Sequence, residues 1–330
     1  MKKQKTVAII GAGMAGITLA RQIHEQARVT VFEKSRGYGG RMAVRRQDVW
    51  QFDHGAQFFT ARSSDFQLLT ASLVDAGIIA AWEPRIVSLQ PADKPYKRLW
   101  YEPHYVAVPG MSSVVKHLAT ELDVRLQTRV AAIHRFRQGW LLQDEAGQEL
   151  GQYDLVIAAL PAPQCIELMP AEFSGQSQLA AVEYSPCFAL MLGFEQSLNL
   201  SFGAAIVKDS PIGWIAVGNA RPGRSDSSSL LLHSDNHWAE DNLELPLPEV
   251  QQSLLNALAD LRGIDLPAPA HIDLHRWRYA RVEGESFPGV LLDEKQGLAA
   301  CGDWSHGKRV EDAFLSGLIL GQTLSDLLRG

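Results

Sequence analysis

The chain is poor in cysteine, with only Cys165, Cys187 and Cys301 among its 330 residues. They are widely spaced and include no Cys-x-x-Cys pair, which excludes a disulfide framework and a cysteine-ligated zinc site. Each reads as a small buried hydrophobe in a reducing compartment, and no metal is expected. Long apolar runs are also missing. None approaches the ~18 residues needed to span a membrane. The opening MKKQKTVAIIGAGMAGITLA superficially resembles a secretory leader, with a basic start and an apolar run. Its glycines fall where a nucleotide-binding turn needs them, so the segment is read as retained and the protein as cytoplasmic. Positive charge is not in excess, since 31 Lys and Arg against 37 Asp and Glu give −6. Nucleic acids and anionic membranes require a basic face, so neither is expected as a partner.

What is present is an ordinary globular composition, 46% hydrophobic and 21% charged, on a chain long enough for two domains. The first forty residues read as strand, turn, helix, strand. Residues 6–10 are a short apolar run suited to a buried parallel strand. Residues 14–26 place Ile17, Leu19, Ala20 and Ile23 at helical spacing, with Arg21, His24 and Glu25 opposite. Residues 28–33 alternate as a second strand, completing a right-handed βαβ unit.

Further along, helices are expected over 64–76, from Gly110 onward, over 247–261 and over 310–328. Residues 124–137 read as a strand pair and 155–160 as an apolar strand. Short β-rich runs fill 188–194, 212–217, 230–233 and 271–279, and 221–229 reads as a solvated loop. There is no internal repeat. Nucleotide-type motifs at both ends, with a β-rich stretch between, predict interleaved α/β domains. A Rossmann-type dinucleotide-binding domain would comprise 1–59, 106–162 and 289–330. A smaller β-rich α+β substrate domain would comprise 60–105 and 163–288.

The first motif is Gly11-Ala12-Gly13-Met14-Ala15-Gly16. Gly11 permits the tight turn, Gly13 lets backbone approach a pyrophosphate, and Gly16 lets helix pack closely on strand. The helix start offers free N–H groups and partial positive charge to phosphates. Glu33 then ends the second strand, where a carboxylate can accept from ribose hydroxyls.

That motif does not separate flavin from nicotinamide dinucleotides. Three later runs do: Ser35-Arg-Gly-Tyr-Gly-Gly40-Arg41-Met42, Phe52-Asp-His54-Gly55-Ala56-Gln57-Phe58-Phe59, and Ala300-Cys-Gly302-Asp303-Trp304 with Arg309-Val310-Glu-Asp-Ala313. Together they resemble the FAD-dependent amine oxidases and, among them, the renalase-like branch. The likeness is strong over roughly the first 60 and last 40 residues and weak between.

It implies a two-domain flavoprotein with non-covalent FAD. Arg41 would contact the pyrophosphate or flavin edge. Residues 52–59 would pass along the flavin ring, with the Gln57 amide and backbone groups bonding its pyrimidine. Val130 would lie beside adenine, and Asp303 would accept from a ribityl hydroxyl. The helix from Val310 would aim its dipole at the flavin carbonyl region. Lys34, Met42, Gly55, Ala56, Phe58, Arg309 and Ala313 complete the cofactor set. His54 is read either as a structural hydrogen-bonded histidine or as a neighbour of the flavin. Cys301, inside its strand, should point away from the flavin, leaving no covalent link.

No side chain is assigned as catalytic, because flavin N5 accepts hydride unaided. Trp277 and Tyr279, two apart on a strand, face one side. They are read as substrate-cavity wall, with aromatic core as the alternative, and His233 is a weaker substrate candidate. Renalase-like members oxidise off-pathway 2- or 6-dihydro isomers of NAD(P) and pass electrons to O2, giving NAD(P)+ and H2O2. Amine oxidases instead oxidise a C–N bond, typically with a lysine near N5. No lysine lies between Lys208 and Lys295, which disfavours the amine reading. A non-catalytic flavin-binding module would not need the β-rich segment.

Overall fold

The computed structural model describes residues 4–91, 96–99, 101–261 and 264–329. Its first sheet has six strands in the order Leu291–Asp293, Leu298–Ala300, Leu155–Ala158, Thr6–Ile10, Arg28–Phe32, Val124–Arg125. All neighbours are parallel except the antiparallel edge pair Leu291–Asp293 and Leu298–Ala300. The central strands are mainly apolar because both faces are covered. Val7, Ile9, Val31 and Ile157 pack on one side, and Ala8, Ile10, Phe32, Val156 and Ala158 on the other.

The first side carries the helices Met14–Ile23, Ser112–Leu118 and Val310–Arg329. The second carries a three-stranded antiparallel sheet, Val130–Phe136, Gly139–Asp144 and Glu149–Tyr153, with the helix Ala162–Leu168. The expected strand pair over 124–137 is therefore corrected. Its halves join different sheets, separated by a turn in which Gln127 has a φ of 53°.

Gly317 and Gly321 pack against the first helix. A Cβ on Gly317 would sit 2.3 Å from the Ala15 carbonyl oxygen, and one on Gly321 2.5 Å from Gln22 Cβ. The small residues let the C-terminal helix lie against the first helix. No helix among the described residues is long and apolar enough to cross a membrane.

The second large sheet has seven strands, in the order His271–Val282, Tyr184–Phe194, Ser228–Ser234, Ile212–Val217, Ala204–Val207, Ile86–Leu89, Tyr96–Arg98. Only the pair Ala204–Val207 and Ile86–Leu89 is parallel. The helix Leu247–Ala259 covers one face with Val250, Leu254, Ala257 and Leu258. The opposite face sets Ala189, Met191 and Leu231 against Phe52, Trp50 and Trp277. Segment 60–105 divides between the two halves. The helix Ser64–Asp75 places Phe66 5.2 Å from Phe314 of the C-terminal helix, whereas Ile86–Leu89 and Tyr96–Arg98 join the seven-stranded sheet.

Candidate active site

A continuous cleft of ≈ 2390 Å³ runs from the ends of the parallel strands to the face of the seven-stranded sheet. In open α/β sheets this is where ligands bind. At one end lies the glycine turn. Gly11 has a φ of +110°, and a Cβ there would sit 2.5 Å from the Ala159 carbonyl oxygen. A Cβ on Gly16 would sit 2.1 Å from the Gly11 carbonyl oxygen, so helix and turn touch backbone to backbone. Gly13 differs: a Cβ there would meet nothing within 4 Å and would project into the cleft. No side chain caps the helix start that follows it. That leaves its first N–H groups available to a ligand anion.

The second glycine run closes over the first. Gly39 N donates to the Ala12 carbonyl (3.0 Å), and the Glu33 carboxylate ties the two together. One of its oxygens accepts from Ala12 N (2.9 Å) and the other from Ser35 N (2.8 Å). Glu33 is 7% exposed and lines the cleft, with lone pairs left for a hydroxyl ligand.

Arg41 and Asp303 meet in the middle of the cleft in a 2.5 Å ion pair. The Asp303 carboxylate thus holds a guanidinium, a partnership that neither local motif announces. Arg41 also approaches the Ala280 carbonyl (3.4 Å) and lies 5.9 Å from the Tyr184 ring. A Cβ on Gly55 would sit 1.9 Å from the Arg41 carbonyl oxygen, so only glycine fits there. The Gln57 amide departs from expectation. Its Oε1 accepts from Arg221 and its Nε2 donates to the carbonyls of Asp53 and Gly55. That amide is committed within the protein, and segment 54–58 offers the cleft backbone and ring surfaces instead.

At the far end, four rings gather. His54 stacks on Trp277 with centroids 5.2 Å apart, and His275 stands edge-on to His54 at 5.0 Å. The His54 carbonyl accepts from Trp277 Nε1 (2.8 Å) and His233 Nε2 (3.1 Å). A carbonyl only accepts, so the His233 proton sits on Nε2 and Nδ1 presents a lone pair. Burial, reinforced by His275 and Arg45, lowers the His54 pKa to about 3. Burial outweighs the hydrogen bond to His54 and takes His233 to about 4. Burial and Arg45 lower His275 as well. All three imidazoles are neutral at pH 7. Tyr279 packs edge-on against Tyr184 at 5.6 Å and lines the cleft.

The helix Val310–Arg329 begins at the cleft wall. Its acids turn away from the cavity: Asp312 accepts from the backbone N–H groups of Lys308 and Arg309 (3.0 and 2.9 Å), and Glu311 accepts from those of Arg62 and Ser63. Arg309 is held beside both, and it lines the cleft together with Val310 and Ala313.

The structure thus brings nearly all the expected residues to one cavity. Gly11, Gly13, Met14, Ala15, Glu33, Lys34, Gly40, Arg41, Met42, His54, Gly55, Ala56, Gln57, Phe58, Val130, Gly302, Asp303, Arg309, Val310 and Ala313 line it, as do Trp277, Tyr279 and His233. Ala12 and Gly16 lie behind it as packing and hydrogen-bonding residues.

Sequence reasoning missed Trp214, His275 and Cys187, which also line the cleft. A tryptophan in an apolar strand carries no such signal. His275 shares the two-residue spacing of Trp277 and Tyr279, and that alternation could have found it. Cys187 is buried, with its thiol pushed up to about 12, and Cys301 lies off the cleft with burial likewise taking it to about 12. Among the described residues no group of three or more His, Cys, Asp or Glu could hold a metal.

A parallel sheet with a glycine-rich turn at its strand ends, facing an antiparallel sheet across one long cleft, is the architecture of two-domain dinucleotide-binding flavoproteins. Residues 98–320 match the flavin containing amine oxidoreductases, and residues 9–74 match an NAD(P)-binding Rossmann-like domain. The chain belongs to the flavin-containing amine oxidoreductase family and is a renalase-like member of it. Renalase of Mus musculus is 24% identical over 321 residues, covering 90% of this chain and 91% of that protein.

Solved structures share the fold. A putative protoporphyrinogen oxidase from Exiguobacterium sp. 255-15 superposes with a TM-score of 0.76 at 14% identity, covering 98% of this chain and 99% of that one. Cyclohexylamine oxidase from Brevibacterium oxydans IH-35A gives 0.74 at 12% identity, covering 99% and 100%. Putrescine oxidase bound to putrescine gives 0.75 at 13% identity, covering 98% and 99%. The protein is accordingly a flavin-dependent oxidoreductase.

Proposed function

We propose that the protein is a renalase-type oxidase. It would bind FAD non-covalently, take hydride from 2- or 6-dihydro isomers of NAD(P), and pass the electrons to O2. Overall, dihydro-NAD(P), O2 and one proton give NAD(P)+ and H2O2. The fit to FAD rests on the open cradle at Gly13, the uncapped helix start, and Glu33 with lone pairs facing the cleft. Flavin bound there supplies the two-electron acceptor and the reaction with oxygen. Lys34 and Val130 flank the nucleotide end, Arg41, Asp303 and Arg309 the middle, and Ala56 and Phe58 the ring end.

The observation that carries the substrate assignment is a cluster of uncharged rings that, alongside Arg276, Arg278 and Arg281, faces the cleft opposite the parallel sheet. His54, His233, His275, Trp277 and Tyr279 form it, and the lysines lining the cleft are Lys34, Lys116 and Lys308, none from the seven-stranded sheet. The His233 Nδ1 lone pair can accept from a carboxamide N–H2, and Trp277 offers a flat face to a dihydropyridine. Size supports the same reading. Pockets for drug-sized ligands measure about 300–1,000 Å³, and this cleft of ≈ 2390 Å³ exceeds that range, which suits a cofactor and a substrate together.

The alternative, oxidation of a small amine, is supported by the amine oxidoreductase family match and by the fold shared with putrescine and cyclohexylamine oxidases. Steady-state peroxide release with dihydronicotinamide isomers and with a panel of amines decides between the two. Faster turnover on amines would sink the renalase-type assignment.

A further inference from the structure

Between strands Ile212–Val217 and Ser228–Ser234 the chain forms a polar loop, yet two of its arginines are buried, their side chains 3% and 5% exposed. Arg221 Nη1 reaches Asp53 Oδ2 (2.8 Å), and its Nη2 donates to Gln57 Oε1. Its guanidinium lies 5.0 Å from the Trp82 ring. Arg224 Nη2 reaches the same Asp53 oxygen (2.5 Å), and its Nη1 donates to the Ala107 carbonyl (2.8 Å). Asp53 Oδ1 accepts from Met111 N (2.8 Å). This knot joins the seven-stranded sheet to the segment that lines the ring end of the cleft.

Its charge does not balance. Guanidinium groups stay protonated, so two arginines against one carboxylate leave one positive charge buried. Burying a net charge is unfavourable, and one arginine already suffices to neutralise Asp53. Gln57, which takes the second fork of Arg221, is the one member of the knot that lines the cleft. Arg221 therefore stands one side chain away from the cavity. Its field also reaches His233, where it helps keep the imidazole neutral.

We propose that Arg221 is a positioning residue of the flavin site, acting through Gln57. The inference rests on the reading of the cleft as an FAD site. By fixing the Gln57 amide, Arg221 fixes Gly55–Phe58, whose backbone is already in contact with Arg41. By placing an uncompensated positive charge behind that segment, it lowers the energy of the negative charge that a flavin gains on reduction.

The test compares the FAD dissociation constant and the flavin midpoint potential of the wild type with those of Arg221→Gln and Arg221→Lys. Arg221→Gln leaves Asp53 paired with Arg224, so no carboxylate is orphaned. It should weaken FAD binding about tenfold, the loss of one buried hydrogen bond to a charged group, and move the potential to more negative values. Arg221→Lys should restore the potential but not the affinity. Gln57→Met should weaken FAD binding by a similar factor, and combining it with Arg221→Gln should add little further loss.

A lower melting temperature with unchanged affinity and potential in Arg221→Gln would overturn the proposal, as would full additivity of the two substitutions. If Arg221→Gln does not fold, Gln57→Met carries the test alone, and unchanged affinity there overturns the proposal. A wild-type protein that takes up no FAD would sink the flavin reading itself, a result distinct from either of these.

Discussion

The carbonyl oxygen of His54 is shared between two donors from the seven-stranded sheet, Trp277 Nε1 at 2.8 Å and His233 Nε2 at 3.1 Å. The two hydrogen bonds fix the indole and the imidazole against the segment that lines the ring end of the cleft. They also leave the Nδ1 lone pair of His233, a cleft-lining residue, as an acceptor. A glutamine at 233 can keep the donor to His54, but its carbonyl oxygen does not occupy the Nδ1 position. His233→Gln should lower kcat/KM for dihydronicotinamides by about 10- to 100-fold, the range expected for one buried hydrogen bond. Bound FAD and melting temperature should stay near wild type, and stopped-flow reduction with a thermal melt checks both. Unchanged kcat/KM would remove His233 from substrate recognition.

The neutral histidines make stability depend on pH. Folded pKa values of about 3 for His54 and about 4 for His233 lie below the ordinary value of 6.5. Between those limits the unfolded chain binds protons that the folded protein refuses. The fold is therefore stable above pH 6.5 and loses stability as pH falls below it, by about 1.4 kcal/mol per unit for each histidine still neutral. Urea midpoints measured from pH 7.5 to 4.5 should be flat above 6.5 and fall below it. His54→Gln should flatten the lower limb, and an unaltered slope would show that His54 is not one of the groups responsible.

Two glycines separate ligand space from packing space. A Cβ on Gly13 faces the open cleft, so Gly13→Val should block FAD retention while shifting the melting temperature of the apoprotein by only about 2 °C. Ultrafiltration followed by absorbance of the retained flavin reads this directly. Yellow, FAD-loaded Gly13→Val would contradict the placement of the diphosphate.

Gly317→Val should behave in the opposite way. Its Cβ would sit 2.3 Å from one backbone atom, the Ala15 carbonyl oxygen, and 3.0 Å from another, Leu19 N. Neither can move without parting the two helices, so destabilisation of about 1–3 kcal/mol is expected. Chemical denaturation of the holoprotein measures it.

The legible parts of the sequence were those where a residue type is dictated by local physics. Gly11 and Gly16 are demanded by close backbone approach, Gly55 by the Arg41 carbonyl, and Glu33 by a strand end facing the helix start. The apolar strands of the parallel sheet are similarly dictated, and Trp277 and Tyr279 of His271–Val282 do line the cleft.

What stayed hidden were partnerships between distant residues. Asp303 meets Arg41 across 262 positions, and Asp53 meets Arg221 across 168. The run 221–229 looked solvated because serine, aspartate and arginine dominate it, yet its arginines are buried by a carboxylate that no local pattern pairs with them. The Gln57 amide misled for the same reason, since the partner of its oxygen, Arg221, comes from another strand connection. His54 was left open between two roles, and its carbonyl holds the cavity wall while its ring stacks on Trp277.

The most direct measurement is anaerobic reduction of the purified holoprotein by 2- and 6-dihydro-NAD(P), followed at the long-wavelength flavin band. Rapid bleaching that reverses when air is admitted, with one H2O2 formed per NAD(P)+, is the predicted result. A flavin that stays yellow with both isomers, yet bleaches with an amine, would contradict the renalase-type assignment.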